Sequence, residues 1–228
     1  MFELCSNKDM DLLQLEFDIR YINVMSRKNL KEHALIRLII SALATPEELE
    51  NLIKKDVRVI NRNGTPIHTV KLTSSGKSRV VPIDAKTYDV VMMLCKDKGS
   101  RQRIFDYTRE EMDKIVEKYS PMRRKYNVMK LRSAVIEILK DCLFFEHDYV
   151  NDLLSGSNFN GVVDFLYDSH PLFSGMWDID DDEAAEDFIM NYTAMTGIRD
   201  IKIIAKEIGE SEERIARLMR GDLLKKLK

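Results

Sequence analysis

The sequence has few of the residues that mark secreted, membrane-spanning and metal-binding proteins. Its 228 residues include only 3 cysteines, at positions 5, 95 and 142, which fit neither a disulfide framework nor a paired metal-ligand pattern. The 4 histidines have no mutual spacing typical of a metal site. The longest apolar stretch, near residues 38–44, is too short to span a bilayer, and residues 1–10 contain no apolar run of signal length. We therefore expect a soluble, cytoplasmic protein with no metal site and no membrane partner.

A large net charge is also absent, because 36 Lys and Arg stand against 38 Asp and Glu. The chain as a whole is therefore not a general polyanion binder. The charges are nevertheless unevenly placed: residues 95–140 carry 13 basic and 7 acidic side chains, whereas residues 141–200 carry 1 and 14. The basic middle predicts a docking surface for a polyanion, and we expect the acidic segment to face away from it or to cover it. The alternative for the basic cluster is a solvated helix face.

Apolar periodicity and capping residues predict a mainly α-helical protein with one small three-stranded antiparallel sheet. Helices are predicted at about 8–24, 30–43, 46–55, 85–95, 108–119, 127–144, 147–155, 158–168, 183–195, 200–208 and 212–220. Between them, three short alternating segments near 57–60, 67–72 and 79–83 read as strands, with Asn63-Gly64 as a tight hairpin turn. We divide the chain into a main domain (1–172), an acidic connector (173–182) and a C-terminal helical unit (183–228).

The C-terminal unit resembles a helix-turn-helix. Ala205 allows two helices to cross closely, Gly209 allows a left-handed turn, and Ile215 and Leu218 would hold the pair together. In a DNA reader the second helix would offer Arg214, Arg217 and Arg220 to the major groove. The alternative is a helical hairpin that packs on the main domain or on another chain. The stretch Asp178–Asp187 has seven carboxylates in ten residues, and we interpret it as a solvated linker or a helix start.

The order of elements in the main domain resembles a known family. A helix opened by Thr-Pro-Glu-Glu-Leu (45–49) precedes the strands, and the last strand reads Gly-Lys-Ser-Arg-Val-Val-Pro-Ile (76–83). Met-Lys-Leu-Arg-Ser-Ala (129–134) and Asp-Leu-Leu-Ser-Gly-Ser (152–157) follow. Over residues 10–168 this is similar to the catalytic domain of tyrosine recombinases, the phage-integrase family. The resemblance implies that fold, double-stranded DNA as partner, and no cofactor, because the tyrosine itself forms the covalent link to phosphate.

The resemblance also implies where the catalytic residues should stand. The family's second arginine matches Arg132, which is retained, but its first arginine matches Ala44 and its second histidine matches Gly156. The meander lysine matches Ser74, the first histidine matches Met129, and the tyrosine falls at Phe165, with Tyr167 two residues later. Alanine cannot bind a phosphate, methionine cannot transfer a proton and glycine has no side chain. We therefore expect an integrase-like DNA-binding protein that has lost strand cleavage.

Two other functions stay open. One is an active recombinase with a rearranged site, in which Arg132 and Tyr167 are catalytic. The other is a protein-interaction module, with a homo-oligomer formed through the C-terminal helices. Each predicted contact has a plainer alternative: Arg132 faces water or Glu137, Tyr167 is a core aromatic, and Lys77 and Arg79 are solvated hairpin charges. The predicted DNA-binding residues are Lys77, Arg79, Arg123, Arg124, Lys125, Lys130, Arg132, Arg214, Arg217 and Arg220.

Overall fold

The computed structural model describes residues 7–141, 147–168 and 177–225. It is mainly helical with one three-stranded antiparallel sheet in the order β1-β2-β3, as the sequence predicts. The strands are β1 (Val57–Arg62), β2 (Thr65–Ser74) and β3 (Lys77–Pro82). The helices are α1 (Asn7–Ser26), α2 (Leu30–Ala42), α3 (Pro46–Asn51), α4 (Ala85–Leu94), α5 (Arg109–Tyr119), α6 (Val128–Asp141), α7 (His147–Ser155), α8 (Phe159–Asp168), α9 (Asp182–Thr196), α10 (Ile201–Ile208) and α11 (Glu212–Lys225).

Capping residues and turns place several element ends where local chemistry predicts them. Thr45 and Glu48 form a capping box at the start of α3, and Thr108 forms another at α5. Asp84 accepts a hydrogen bond from the Thr87 backbone N–H at the start of α4. Both residues of the β1–β2 turn, Asn63 and Gly64, have positive φ, as this hairpin type requires. These ends are therefore fixed by interactions within a few residues of each other.

The third helix is shorter than predicted. It ends at Asn51 rather than near Lys55, and a 3₁₀ turn follows at Lys54–Asp56. The reason is tertiary: the Leu52 carbonyl accepts from the Ile104 N–H at 2.9 Å, and the Lys55 N–H donates to the Ser100 carbonyl at 2.8 Å. Pairing with the loop before α5 thus draws the backbone out of the helix, and local propensity is overridden.

The described buried apolar residues form two cores, and α1 contributes to both. Ile19 and Ile22 lie in the larger core, which also includes α2, α6 and the inner face of the sheet. Phe17 and Val24 lie in the smaller core with the apolar residues of α9, α10 and α11. The C-terminal helices therefore pack against α1. None of the described helices is long and apolar enough to cross a membrane. The domain boundaries proposed above stay a prediction.

The acidic connector is only partly a solvated linker, because Asp178 is buried while Asp180 and Asp182 are exposed. Asp178 is only 1 % exposed, and its carboxylate accepts two hydrogen bonds from Arg37, at 2.9 and 3.0 Å. Arg27 and Lys86 each approach it at 3.0 Å. Burial by itself raises the pKa of Asp178, but Arg37 and Lys86 outweigh it and hold that pKa well below its usual range. The alternative interpretation of this stretch, as the start of a helix, is confirmed, because Asp181 caps the start of α9.

Candidate nucleic-acid interface

The fold brings together four segments that the family resemblance assigns to the catalytic site. Arg79 on β3 donates through Nη2 to the carbonyl of Leu43, in the turn after α2, at 2.9 Å. Arg132 on α6 donates through Nε to the same carbonyl at 2.8 Å. Gly156, directly after α7, lies against Arg79 so closely that a Cβ built on it would be 2.7 Å from the Arg79 Cβ. We call these residues, with Ala44 and Glu48, the Arg79 cluster.

Arg79 is a buried residue rather than a solvated hairpin charge. It is 8 % exposed, and its Nε and Nη2 bind the Glu48 carboxylate at 2.7 and 3.0 Å. Its Nη1 donates to the Leu153 carbonyl at 2.9 Å. The alternative of a solvated hairpin charge is therefore wrong for Arg79, and the burial also argues against the predicted DNA contact, because each guanidinium nitrogen is hydrogen-bonded inside the protein. The guanidinium joins α3, β3 and α7.

Glu48 completes this arrangement and was not singled out in the sequence. Its pKa is lowered: burial raises it, but the hydrogen bonds and charge of Arg79 and the hydrogen bonds from Thr45 more than compensate. Its charged form is thus the one that the fold holds. The sequence signal was the capping box itself, which places Glu48 back against Thr45 and so towards the turn where Arg79 arrives.

Arg132 is half-buried and retains unused hydrogen-bonding capacity. Within the described residues its Nε is hydrogen-bonded and its Nη1 and Nη2 atoms are not. Burial lowers the pKa of Arg132, the nearby positive charge of Arg79 lowers it further, and Glu48 opposes both. The guanidinium can therefore present one edge to an incoming anion, which is the geometry that an arginine uses to bind a phosphate.

Two of the positions that the family resemblance matches to catalytic groups, Ala44 and Ser74, are buried or already hydrogen-bonded. Ala44 is fully buried. Ser74, in place of the meander lysine, donates to Glu47 Oε2 at 2.6 Å, and the Ser75 N–H donates to Oε1 at 2.7 Å. Those hydrogen bonds lower the pKa of Glu47 and tie the β2–β3 hairpin to the start of α3. Tyr167 lies in the last turn of α8, and its side chain is outside the described part of the structure.

The basic segment before and within α6 forms a cationic groove. The groove has a volume of about 490 Å³. We use the term for the surface lined by the cations Arg124, Lys125 and Lys130 and by the acid Glu137, beside Met129 and Leu15. Met129, the position matched to the first histidine, is therefore part of this groove. All three cations are exposed. The ammonium groups of Lys125 and Lys130 can reach a phosphate backbone laid along the groove, whereas Arg124 is already paired with Asp18 through Nε.

Two residues that line the cationic groove, Tyr126 and Arg124, contact a buried acid, Asp18. Asp18 accepts from the Tyr126 hydroxyl at 2.8 Å and pairs with Arg124 at 3.0 Å. Burial raises the pKa of Asp18, and Tyr126 and Arg124 partly oppose that effect. Arg123 is also exposed but lines a separate cavity of about 280 Å³ with Asn191 and Met195. Three of the four basic residues at 123–130 thus share one surface, and the fourth lies beside it.

The remaining predicted DNA-binding residues lie elsewhere. Lys77 is exposed at the start of β3, paired in register with Ser74. In the C-terminal unit, Gly209 adopts the left-handed conformation and Ala205 is buried, so the turn between α10 and α11 has the predicted form. Arg214 and Arg217 do not stand free there, because both pair with Asp182. DNA recognition by this helix pair stays a prediction.

Comparison with known proteins gives one relative with high coverage. No family model matches the chain. An uncharacterized protein of Archaeoglobus fulgidus is 41 % identical over 210 residues, which span 92 % of this chain and 93 % of the relative. The chain belongs to the same family as that protein. The similarity covers most of the length of both proteins.

Two solved structures resemble this chain at lower sequence identity. One is the XerH site-specific recombinase bound to its difH substrate in a pre-cleavage complex, with 17 % identity and a TM-score of 0.49 over 69 % of this chain. The other is the XerA recombinase, with 10 % identity and a TM-score of 0.48 over 84 % of this chain. The chain spans 50 % of the XerH chain and 65 % of the XerA chain.

Proposed function

We propose that this chain is an integrase-like protein that binds double-stranded DNA and does not cleave it. The observation that carries the proposal is the combination of an exposed cationic groove with the Arg79 cluster, in which Ala44 and Gly156 stand where the family has an arginine and a histidine. The groove offers Lys125 and Lys130 to a phosphate backbone. Arg132 offers the unused edge of its guanidinium, and Lys77 adds an exposed charge on the β2–β3 hairpin. Arg79 is not part of this surface, because Glu48 and backbone carbonyls hold it inside.

The absence of cleavage follows from groups that are missing rather than displaced. A phosphoryl-transfer site of this type needs arginines that stabilise the charge of the transition state and groups that move protons. At Gly156 there is no space for a side chain beside Arg79, and Ala44 is buried without a polar group. Removing a single such donor typically slows a reaction by about 10²–10³-fold. Loss of several groups that act as a unit leaves no efficient route to cleavage.

DNA binding is tested by fluorescence anisotropy with a short labelled duplex over a range of salt concentrations. We expect an affinity that falls steeply with salt, and a slope of log affinity against log salt that decreases by about 1 for each phosphate-contacting cation removed, as in Lys125→Ala and Lys130→Ala. Lys96→Ala is the matched control, because Lys96 is exposed and does not line the groove. Absence of binding at low salt, or an equal effect of Lys96→Ala, would refute the groove as the interface.

An active recombinase with a rearranged site is the second candidate, and the open edge of Arg132 is the observation that favours it. A nicked suicide duplex distinguishes the two, because a nucleophilic tyrosine would remain covalently attached to it. We expect no attached product on a denaturing gel. A covalent product that disappears in Tyr167→Phe and in Arg132→Ala would replace the proposal of a non-cleaving protein by this one.

A further inference from the structure

The arginines of α11 are occupied by the chain's own acidic connector. Arg214 donates through Nη2 to the carbonyls of Ile179 and Asp180, each at 2.8 Å, and pairs with Glu210 at 2.9 Å. It also approaches Asp182 at 3.4 Å. These contacts hold Arg214 at the junction of the connector and α11. Arg214 is therefore a structural residue of the C-terminal unit.

Arg217, one turn further along α11, is held by Asp182 alone among the described residues. Its Nη2 lies 3.1 Å from Asp182 Oδ1 and 3.0 Å from Oδ2. The Arg217 side chain is 63 % exposed and that of Asp182 is 50 % exposed. An ion pair this exposed is weak and is screened by salt, so another anion can replace the carboxylate.

The rest of the exposed face of α11 is available to a ligand. Arg220 is exposed and three residues after Arg217, so the two lie on the same side of the helix. Ile215 and Leu218 face the smaller core, which fixes the orientation of the helix. The only acidic side chain that neutralises Arg217 in the described structure is the one at the first position of α9.

We propose that Asp182 is an autoinhibitory contact: it occupies Arg217 in place of a DNA phosphate and keeps that arginine from contributing to DNA binding. The inference rests on the proposed function. Arg217 Nη2 faces both oxygens of the Asp182 carboxylate. A phosphate also presents oxygens that accept from a guanidinium, so the exchange needs no new shape on the protein. Arg217 is the residue that changes partner, whereas Arg214 keeps its backbone hydrogen bonds in both states.

The inference is tested with Asp182→Asn and its matched control Glu183→Gln. Both acids lie in the first turn of α9 and both substitutions remove one negative charge, so their effects on net charge and on the helix dipole are alike. Only Asp182 contacts Arg217. In the anisotropy assay we expect Asp182→Asn to bind the duplex several-fold more tightly at low salt, and to steepen the salt dependence by about one phosphate contact, a change of about 0.9 in slope. We expect Glu183→Gln to bind like the unaltered protein.

A double-mutant cycle assigns the gain to Arg217. Arg217→Ala alone should leave DNA affinity nearly unchanged, because that arginine is already occupied. Combined with Asp182→Asn it should abolish the gain. An equal gain in both acid variants, or a gain that survives Arg217→Ala, would overturn the autoinhibitory contact while leaving DNA binding intact. No binding by any variant overturns the proposed function, and the autoinhibitory contact with it.

Discussion

Gly156 offers the sharpest test of how the Arg79 cluster is packed. It has φ +69° directly after α7, and an added Cβ would lie 2.7 Å from the Arg79 Cβ and 3.1 Å from its Cα. The neighbouring atoms belong to the backbone and to the first carbon of a side chain, so they cannot rotate away. We predict that Gly156→Ala destabilises the protein through two separate effects, backbone strain and overlap with Arg79.

The two effects can be separated with Gly197→Ala. Gly197 follows α9 with φ +74°, and nothing lies within 4 Å of its added Cβ. The left-handed conformation costs an L-residue about 1–2 kcal/mol, and we expect that loss of unfolding free energy in Gly197→Ala. Overpacking adds about 1–3 kcal/mol, so Gly156→Ala should lose about 2–5 kcal/mol in total.

The measurement is urea unfolding followed by circular dichroism for both variants and the unaltered protein. The difference between the two variants reports the overlap with Arg79, because strain is common to both. Equal losses at the two positions would refute the close contact between β3 and the end of α7. The same contact predicts that Gly156→His cannot rebuild a catalytic histidine, since the larger side chain meets the same obstacle.

Two further predictions concern the buried charges around Asp178. His33 is 5 % exposed; burial, followed by the positive charge of Arg37, lowers its pKa from 6.5 to about 3. Below pH 6.5 the unfolded chain binds a proton at His33, whereas the folded protein does not. The free energy of unfolding therefore has its full value above pH 6.5 and falls by about 1.4 kcal/mol per pH unit towards about pH 3. Urea unfolding across this range should show that slope, and His33→Gln should flatten it; an unchanged slope would contradict the assignment. Asp178→Asn removes one of the two buried carboxylates that pair with Arg37, the other being Asp84, and should cost about 3–5 kcal/mol, whereas Asp180→Asn, at a side chain 62 % exposed, should cost about 0–1 kcal/mol. Similar losses in the two variants, measured by the same unfolding assay, would argue against a special role for the buried acid.

Local interactions explain which parts of the fold were predictable. The starts of α3, α4 and α5 follow from Thr45, Asp84 and Thr108, whose caps act within three residues. The end of α3 did not follow, because the groups that pair with Leu52 and Lys55 lie about fifty residues away along the chain. A helix end that depends on such a partner has no signal in its own segment.

The sequence contains a signal that Arg79 is buried. Alternation along β3 places Arg79 on the same side of the sheet as Val81, which faces the core. A cation at an inward position requires a buried acid, and Glu48 is that acid. Which acid would serve could not be read from the sequence, since Glu48 lies 31 residues away.

The acidic connector shows the opposite case. Seven carboxylates between 178 and 187 look alike in sequence, yet Asp178 is buried and Asp180 is exposed. The flanking Trp177 and Ile179, both buried, were the available hint. The carboxylate that is buried is the one that pairs with Arg37 of α2, a contact that the connector sequence does not reveal.

The helix α1 has a consequence for any attempt to divide this protein. A fragment ending at residue 172 would keep α1 but expose Phe17 and Val24 to water, because their covering residues come from the last three helices. Such a fragment would carry an exposed apolar patch and would be prone to aggregate. A fragment carrying only those helices would lack the surface against which they pack. The protein is therefore best expressed and studied as a single piece.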